Sequence, residues 1–486
     1  MKTVHFKLLK KILMGLSALI ISLFIIGYLA FYFFVQTNLG YYKNELVKEI
    51  SKATNKKVTI ETFDANWNIT NPRFIIKDFS IYADSSEKAF TFEKFEVDVS
   101  WMSLLKFELV LDQVTLYDLA VEIQKNSETD YLIGGWKISY DPNSNDEFDG
   151  KLINWLLNQD EVQMINAKII WIDKTRANSP PLVLNDINLS YSTSDILSYL
   201  DRHLFYLDFF SSAGTKEKIS LSGHFDADSI DELLEADGAL SFKFEALSLY
   251  AFSPWIDYPL TIKDGTGSLS INVEFENGKL KEGGSSFSVQ NLNAKTLDNA
   301  KQDLVFKDIN GEFKYKLVND DINIILDNLF LTTNSKLQFE DSAASIKYNF
   351  KTNQINKATL VVDRFDLGSV KEISNQFLPE EHKTNVIINE LSAKGEIDDL
   401  KLKWDRTRDR EEPKLKLKAK FLELEINEFE SFPGLKNITG EVNIENEKGI
   451  IRSVSRDVKI TKEDVFRAPL QLNQFTGSVN WDNQKY

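Results

Sequence analysis

From about Val58 to the end of the chain, apolar and polar residues alternate with a period of two. Leu269, Ile271, Val273 and Phe275 are separated by polar residues and followed by the turn dipeptide Asn277-Gly278. Phe313, Tyr315 and Leu317 repeat the pattern, and Ile322, Ile324 and Leu326 resume it after Asn319-Asp320-Asp321. Ile346, Tyr348 and Phe350 follow, then Leu415, Leu417, Ala419 and Phe421. Successive side chains of a strand point to opposite faces, so each run predicts a strand with one apolar and one polar face. Asn-Gly between two such runs predicts a tight hairpin, and sheets with one solvated face are antiparallel. At Phe421-Leu422 the apolar phase slips by one and continues through Leu422, Leu424 and Ile426, which predicts a bulge or a strand boundary there.

Helical periods are few. Tyr42, Leu46, Ile50 and Ala53 recur every three or four residues and predict an amphipathic helix within residues 36–56. Shorter helices are expected at 151–158, 228–235 and 370–378, the last closed by Pro379, each as a cap or plug on the sheet. A weak repeat begins Gly267-Ser268-Leu269-Ser270-Ile271 and returns at Gly311, Gly440 and Gly477, with Gly395-Glu396-Ile397 a partial copy. A recurrence of about 40 residues suggests stacked β units that bury one another's faces. If residues 57–486 supply roughly 20 to 28 strands about 4.8 Å apart, one sheet would extend about 100 to 130 Å. Too few helices exist to cover its apolar side, so the sheet must close, pair with a second sheet, or curl around something apolar. The expected fold is mainly β: an elongated, curled antiparallel sheet, an open trough with an apolar interior, built from repeated β units.

Residues 12–35 carry no charge, and Lys2, Lys7, Lys10 and Lys11 precede them. At 1.5 Å per residue such a helix is about 36 Å long, enough to cross a hydrocarbon core of about 30 Å. A cleaved secretory signal has a shorter apolar region and a small-residue cleavage site, whereas this stretch ends in Tyr28, Phe31, Tyr32, Phe33 and Phe34, suited to a membrane interface. A retained single-pass anchor is expected, with residues 1–11 as a cytoplasmic tail and residues 57–486 exported. Lys43, Lys48, Lys52, Lys56 and Lys57 on the exported side weaken the charge asymmetry that sets this orientation.

The net charge of -16 argues against nucleic acid as a partner, since phosphate backbones need a basic stripe. The absence of Cys excludes disulfides, thiol chemistry and Cys-ligated zinc. Of the four His, His5, His203, His224 and His382, none stands at metal-ligand spacing from another. The acidic run Asp226, Asp228, Asp231, Glu232 and Glu235 lacks the glycine of a calcium loop and reads as a solvated helix start. Asp320-Asp321, Asp398-Asp399 and Glu411-Glu412 lie at turn positions, and no phosphate-cradling loop or nucleophile elbow is present. No enzyme activity, metal or cofactor is expected.

After the anchor the chain reads Ile50-Ser51, Thr54-Asn55, Val58-Thr59-Ile60, then Phe63-Asp64-Ala65-Asn66-Trp67, Pro72-Arg73-Phe74 and Asp78. Further on come Trp155-Leu156-Leu157-Asn158-Gln159, Ile170-Trp171-Ile172-Asp173, Pro180-Pro181-Leu182, Arg202-His203-Leu204-Phe205 and Ser253-Pro254-Trp255. In this order, to about residue 300, they resemble the AsmA-like family, and more closely its YhdP-type branch. The resemblance implies a protein of the bacterial inner membrane, N-terminus cytoplasmic, whose periplasmic β-trough carries phospholipid between inner and outer membranes. It implies phospholipid, the inner membrane, and outer-membrane or periplasmic proteins as partners. YhdP-type chains are longer; this one stops at Tyr486 soon after the strand-like Gly477 to Trp481, as expected of a fragment or a short homologue.

The candidate lining of a lipid groove is Leu269, Ile271, Val273, Phe275, Phe313, Tyr315, Leu317, Ile324, Tyr348, Phe350, Leu417 and Phe421. Each fits an ordinary sandwich core equally well. The alternative function is a membrane-tethered periplasmic scaffold that assists outer-membrane assembly by strand addition; an exported hydrolase is the third.

Overall fold

The computed structural model describes residues 17, 22, 25–54, 56–68, 71–82, 88–100, 103, 110–134, 136–139, 157, 159–177, 179–194, 202–214, 216–227, 232, 235–258, 260–296, 303–333, 338–377, 382–406, 413–430 and 432–482. They hold twenty-three strands and few helices, so the protein is mainly β. Two compact units divide the chain: Met1–Ser212 with Ser222–Leu234, and Ala213–Leu221 with Glu235–Tyr486.

In the first unit, residues 25–30 are helical, Phe31–Val35 form a π turn, Gln36–Asn38 a 3₁₀ turn, and helix α1 runs over Leu39–Thr54. The changes of pitch disturb the regular ladder, and side chains supply bonds there: Thr37 Oγ1 donates to Phe33 O at 2.5 Å and Asn38 Nδ2 to Phe34 O at 3.1 Å. No helix among the described residues is long and apolar enough to cross a membrane. Residues 1–16, 18–21 and 23–24, most of the predicted tail and span, lie outside the described residues. Helix α1 packs Leu46, Val47 and Ile50 on a cluster of Val58, Ile60, Phe79, Ile81 and Phe92. Tyr42, placed on the same stripe by spacing, is exposed.

Strands β1 (Val58–Asn68), β2 (Asn71–Tyr82) and β3 (Lys88–Val99) form an antiparallel meander. Strands β4 (Leu111–Tyr117) and β5 (Ala120–Lys125) both pair with β3, and Asp118, at φ 52°, breaks the line between them. Their other edges pair in parallel with β8 (Glu161–Asp173). This corrects the all-antiparallel expectation. After β5 the chain makes an antiparallel excursion through β6 (Asp130–Ile133) and β7 (Trp136–Ser139), and parallel neighbours need a long crossover of that kind. Strands β9 (Leu182–Ser194) and β10 (Arg202–Ser211) extend the sheet antiparallel beyond β8, and β11 (Ile219–Asp226) follows.

Arg202 grips Asp226 with two bonds of 2.7 and 2.8 Å. The bond from Arg202 holds the Asp226 carboxyl below the usual aspartate value of 3.8. A carboxylate with a lowered folded-state pKa contributes stability that is complete above the unfolded value and is lost as pH falls through the folded one. Asp226→Asn is therefore expected to flatten the acid limb of a urea-midpoint-versus-pH curve below about pH 4. Arg202 is half exposed, so the effect is modest.

The second unit is a meander of twelve strands, each paired antiparallel with the next. They are β12 (Asp237–Ser248), β13 (Leu260–Glu276), β14 (Lys279–Thr296), β15 (Leu304–Val318), β16 (Asp321–Thr333) and β17 (Gln338–Asn349). Then come β18 (Gln354–Asp366), β19 (Lys394–Asp405), β20 (Lys414–Ile426), β21 (Gly434–Glu445), β22 (Lys448–Thr461) and β23 (Leu470–Asp482). At about 4.8 Å per strand the meander is about 50 Å wide.

Many strands are interrupted by a residue with left-handed backbone: Asn291, Asn328, Asp399, Glu423, Asn437 and Asp457 all have φ between 49° and 58°. Asn and Asp tolerate this conformation best, and a bulge of this kind bends its strand and sharpens the twist. The break predicted at Phe421-Leu422 is one of them: pairing with β21 shifts between Phe421 and Leu424 around Glu423.

Helix α2 (Leu249–Phe252) follows β12, and α3 (Gly368–Phe377) and α4 (Lys383–Leu391) separate β18 from β19. Helix α3 lies where residues 370–378 predicted one. Helix α4 has no sequence forecast, because polar groups join it to α3: Ser374 Oγ donates to Asn385 Oδ1 at 2.8 Å and Asn389 Nδ2 to Asn375 Oδ1 at 2.7 Å, while Val386 and Ile387 are exposed. The predicted helices at 151–158 and 228–235 lie outside the described residues apart from Leu157, Glu232 and Glu235.

Candidate functional site: an uncovered apolar face

Directly paired residues of neighbouring strands share a face, so the register shows which side chains stand together. One row crosses the entire second unit. It runs Phe242, Ile271, Ser285, Phe313, Leu326 and Ala344 from β12 to β17. It continues Leu360, Leu402, Leu417, Ile444, Gly449 and Trp481 from β18 to β23. A neighbouring row reads Leu240, Val273, Gly283, Tyr315, Ile324, Ile346, Ala358, Trp404 and Leu415.

Eleven of the twelve residues proposed as lining stand on strands and share this one face; Phe350 lies in the turn after β17. Leu269, Ile271, Val273 and Phe275 stand on β13, Phe313, Tyr315 and Leu317 on β15, and Ile324 on β16. Tyr348 stands next to the last residue of β17 and Phe350 just beyond the strand, their rings edge to face at 5.4 Å. Leu417 and Phe421 stand on β20. Sequence reasoning left out Phe242 and Phe244 on β12, Phe287 on β14, and Leu402 and Trp404 on β19, although Leu400, Leu402 and Trp404 alternate as clearly as the runs that were chosen.

Coverage of this face is uneven. Toward the edge that carries α2 and the longer connections, Ile262, Leu292, Ala294, Leu304 and Phe306 are buried together, as are Phe421, Ile438 and Val458. Toward the hairpin-turn edge it opens: Ile346 is 39 %, Ile355 40 %, Phe350 54 % and Val479 61 % exposed. The phenol of Tyr315 has its pKa pushed up by burial, so it remains neutral at ordinary pH.

Glycine is a structural part of the face. The repeated glycines Gly267, Gly311, Gly440 and Gly477 lie within strands, while Gly395 stands at the start of β19, and rings of neighbouring residues cover several of them. A methyl group at Gly311 would come 2.8 Å from Phe287 Cζ, one at Gly440 2.8 Å from Phe421 Cζ, and one at Gly283 2.8 Å from Tyr315 Cε1. Gly449 lies in the same way beneath Trp481. A ring laid over a glycine buries its bare backbone and presents apolar surface in its place.

The opposite face carries cross-strand ion pairs, including Lys316 with Glu282 at 2.5 Å, Lys347 with Asp321 at 2.9 Å, Lys416 with Glu445 at 2.7 Å and Arg452 with Glu441 at 2.9 Å. Exposed pairs of this kind add little stability, and like charges also stand directly opposite one another on this face, as Lys347 with Lys357 and Lys401 with Lys418.

His203, in the first unit, is buried to 1 % exposure, with both ring nitrogens engaged: Nε2 lies 2.5 Å from Ala227 O and Nδ1 2.7 Å from the Tyr191 hydroxyl. A carbonyl only accepts, so Nε2 donates to Ala227 O, while Nδ1 is hydrogen-bonded to the Tyr191 hydroxyl. Stacked between Tyr191 and Phe225, this imidazole is a structural cross-link. His382 caps α4 by accepting from Thr384 N, and His5 lies outside the described residues. Among the described residues no group of three His, Asp or Glu could hold a metal ion.

A long meander with a charged face and a continuous, partly uncovered apolar face defines an amphipathic β-sheet protein. A family model described as YhdP protein matches residues 1–486, and the chain belongs to the YhdP protein family. No curated protein matches it.

Proposed function

We propose that this protein is a lipid carrier of the bacterial cell envelope, anchored in the inner membrane by residues 12–35, and that phospholipid moves along the apolar face of its periplasmic sheet toward the outer membrane. The observation that carries this reading is the unbroken row from Phe242 to Trp481, whose surroundings leave Ile346, Phe350 and Val479 exposed. Apolar surface of this extent needs a cover, and the bulged strands can curl such a face into a trough. Burial of acyl chains contributes about 0.8 kcal/mol per CH₂, so a continuous track keeps migrating tails out of water while the headgroup stays solvated at the open edge. No catalytic step, metal or cofactor enters this reading.

Photo-crosslinking side chains at Ile271, Phe313 and Leu417 are expected to capture phospholipid in cells, and those at Lys314 and Lys416 on the charged face are not. Equal capture by both sets would overturn the facial assignment. Loss of capture at all five, with the protein folded, would overturn lipid carriage and leave the strand-addition scaffold as the better reading.

A further inference from the structure

Strand β1 runs back alongside the helical segment that precedes it. Near one end Lys43 Nζ donates to Glu61 O at 2.5 Å; at the other, the rings of Trp67 and Tyr28 meet edge to face with centroids 5.4 Å apart. Tyr28 precedes Val35, the last residue of the uncharged stretch, by seven residues. At 1.5 Å per residue this is about 10 Å.

Around Tyr28 the helix shows apolar surface that no part of the described protein covers: Ile25, Ile26, Leu29, Phe33 and Phe34 are all between 47 and 71 % exposed. The β1–β2 hairpin stops at this level. Its pairing with β2 continues through Trp67 with Pro72 and Asn68 with Asn71, the last described residues on either side of the turn. Arg73, next to the tip, is neutralised by two bonds of 2.5 and 2.7 Å to Asp98.

We infer that the end of the β1–β2 hairpin marked by Trp67 and Pro72 enters the outer leaflet of the membrane crossed by residues 12–35, past the headgroups, so that the sheet begins among the acyl chains and not above them. This rests on the anchor reading given above and adds a depth to it. Trp67 sits where an indole is favoured, with its ring among apolar groups near the polar boundary. A tail leaving the bilayer then meets strand surface without first crossing water.

The absence of Cys permits single labels on the full chain. Environment-sensitive fluorophores attached to Asn68→Cys, Ile25→Cys and Asn277→Cys would be compared in vesicles of phosphatidylethanolamine and phosphatidylglycerol that carry a nitroxide on the acyl chain near the glycerol. Quenching at Asn68→Cys and Ile25→Cys several-fold above that at Asn277→Cys is expected. If Ile25→Cys is quenched and Asn68→Cys behaves like Asn277→Cys, the hairpin stands above the membrane and the inference fails while the anchor stands. If neither is quenched, the inference and the anchor fall together, and lipid carriage is judged by crosslinking alone.

Discussion

Tyr315→Asp is expected to stop phospholipid passage while leaving the meander folded. Tyr315 lies near the middle of the apolar face, between Gly283 and Ile324, with its ring over Gly283. A carboxylate there would have to lose its hydration each time an acyl chain passed, and its paired neighbours, Gly283 and Ile324, offer no cation to replace it. A barrier increase of about 3 kcal/mol would slow passage roughly a hundredfold. The check is transfer of a fluorescent phospholipid from inner to outer membrane, with two controls. Tyr315→Phe removes only the hydroxyl and should support normal transfer. Asn323→Asp adds the same charge on the other face, directly opposite Lys316, and should also be silent. Equal inhibition by Tyr315→Asp and Asn323→Asp would mean that charge, and not its face, is the cause.

Gly440→Ala is expected to be the most damaging single methyl group in the second unit. The added Cβ would overlap the backbone carbonyl of Arg452 on β22 and press on the Phe421 ring. A flexible side chain could swing away, but a carbonyl in a sheet ladder cannot. A loss of about 2 to 3 kcal/mol follows, read as a lower urea midpoint with an unchanged slope. Gly284→Ala is the matched test on the charged face, where the nearest atoms would be 3.6 Å away in ordinary contact. There the change should be small, since the methyl meets no obstruction and a less flexible unfolded chain favours folding slightly. Similar losses at both sites would show that the rings over glycines do not set the packing.

Much of this face was legible because a period of two leaves little choice. Once Leu269, Ile271 and Val273 lie on one side, the register carries Phe313 and Leu417 to the same side several strands away. The phase slip at Phe421-Leu422 was likewise readable, because a bulge moves the apolar positions from odd to even. The parallel pairing of β4 and β5 with β8 was not, since alternation tells which face a residue takes but not which strand lies beside it. Helix α4 escaped because the described bonds that join it to α3 are made by amides and a hydroxyl, and apolar spacing says nothing of them. The glycine repeat was visible, yet its meaning lay in rings on adjacent strands, a relation no single strand displays. The groove lining proposed from sequence was a part of the face, limited by the runs inspected and not by their chemistry.

The order of pairing in the second unit bears on how such a protein is made. Every strand from β12 to β23 finds its partner in the segment just synthesised, joined in several places by a turn of a few residues. A chain that emerges from its N-terminus can therefore be laid down strand by strand, with little wait for a distant segment and only brief exposure of an unpaired edge. In the first unit β4 and β5 must instead stay open on one side until β8 emerges, an unpaired edge that an assisting chaperone would have reason to cover.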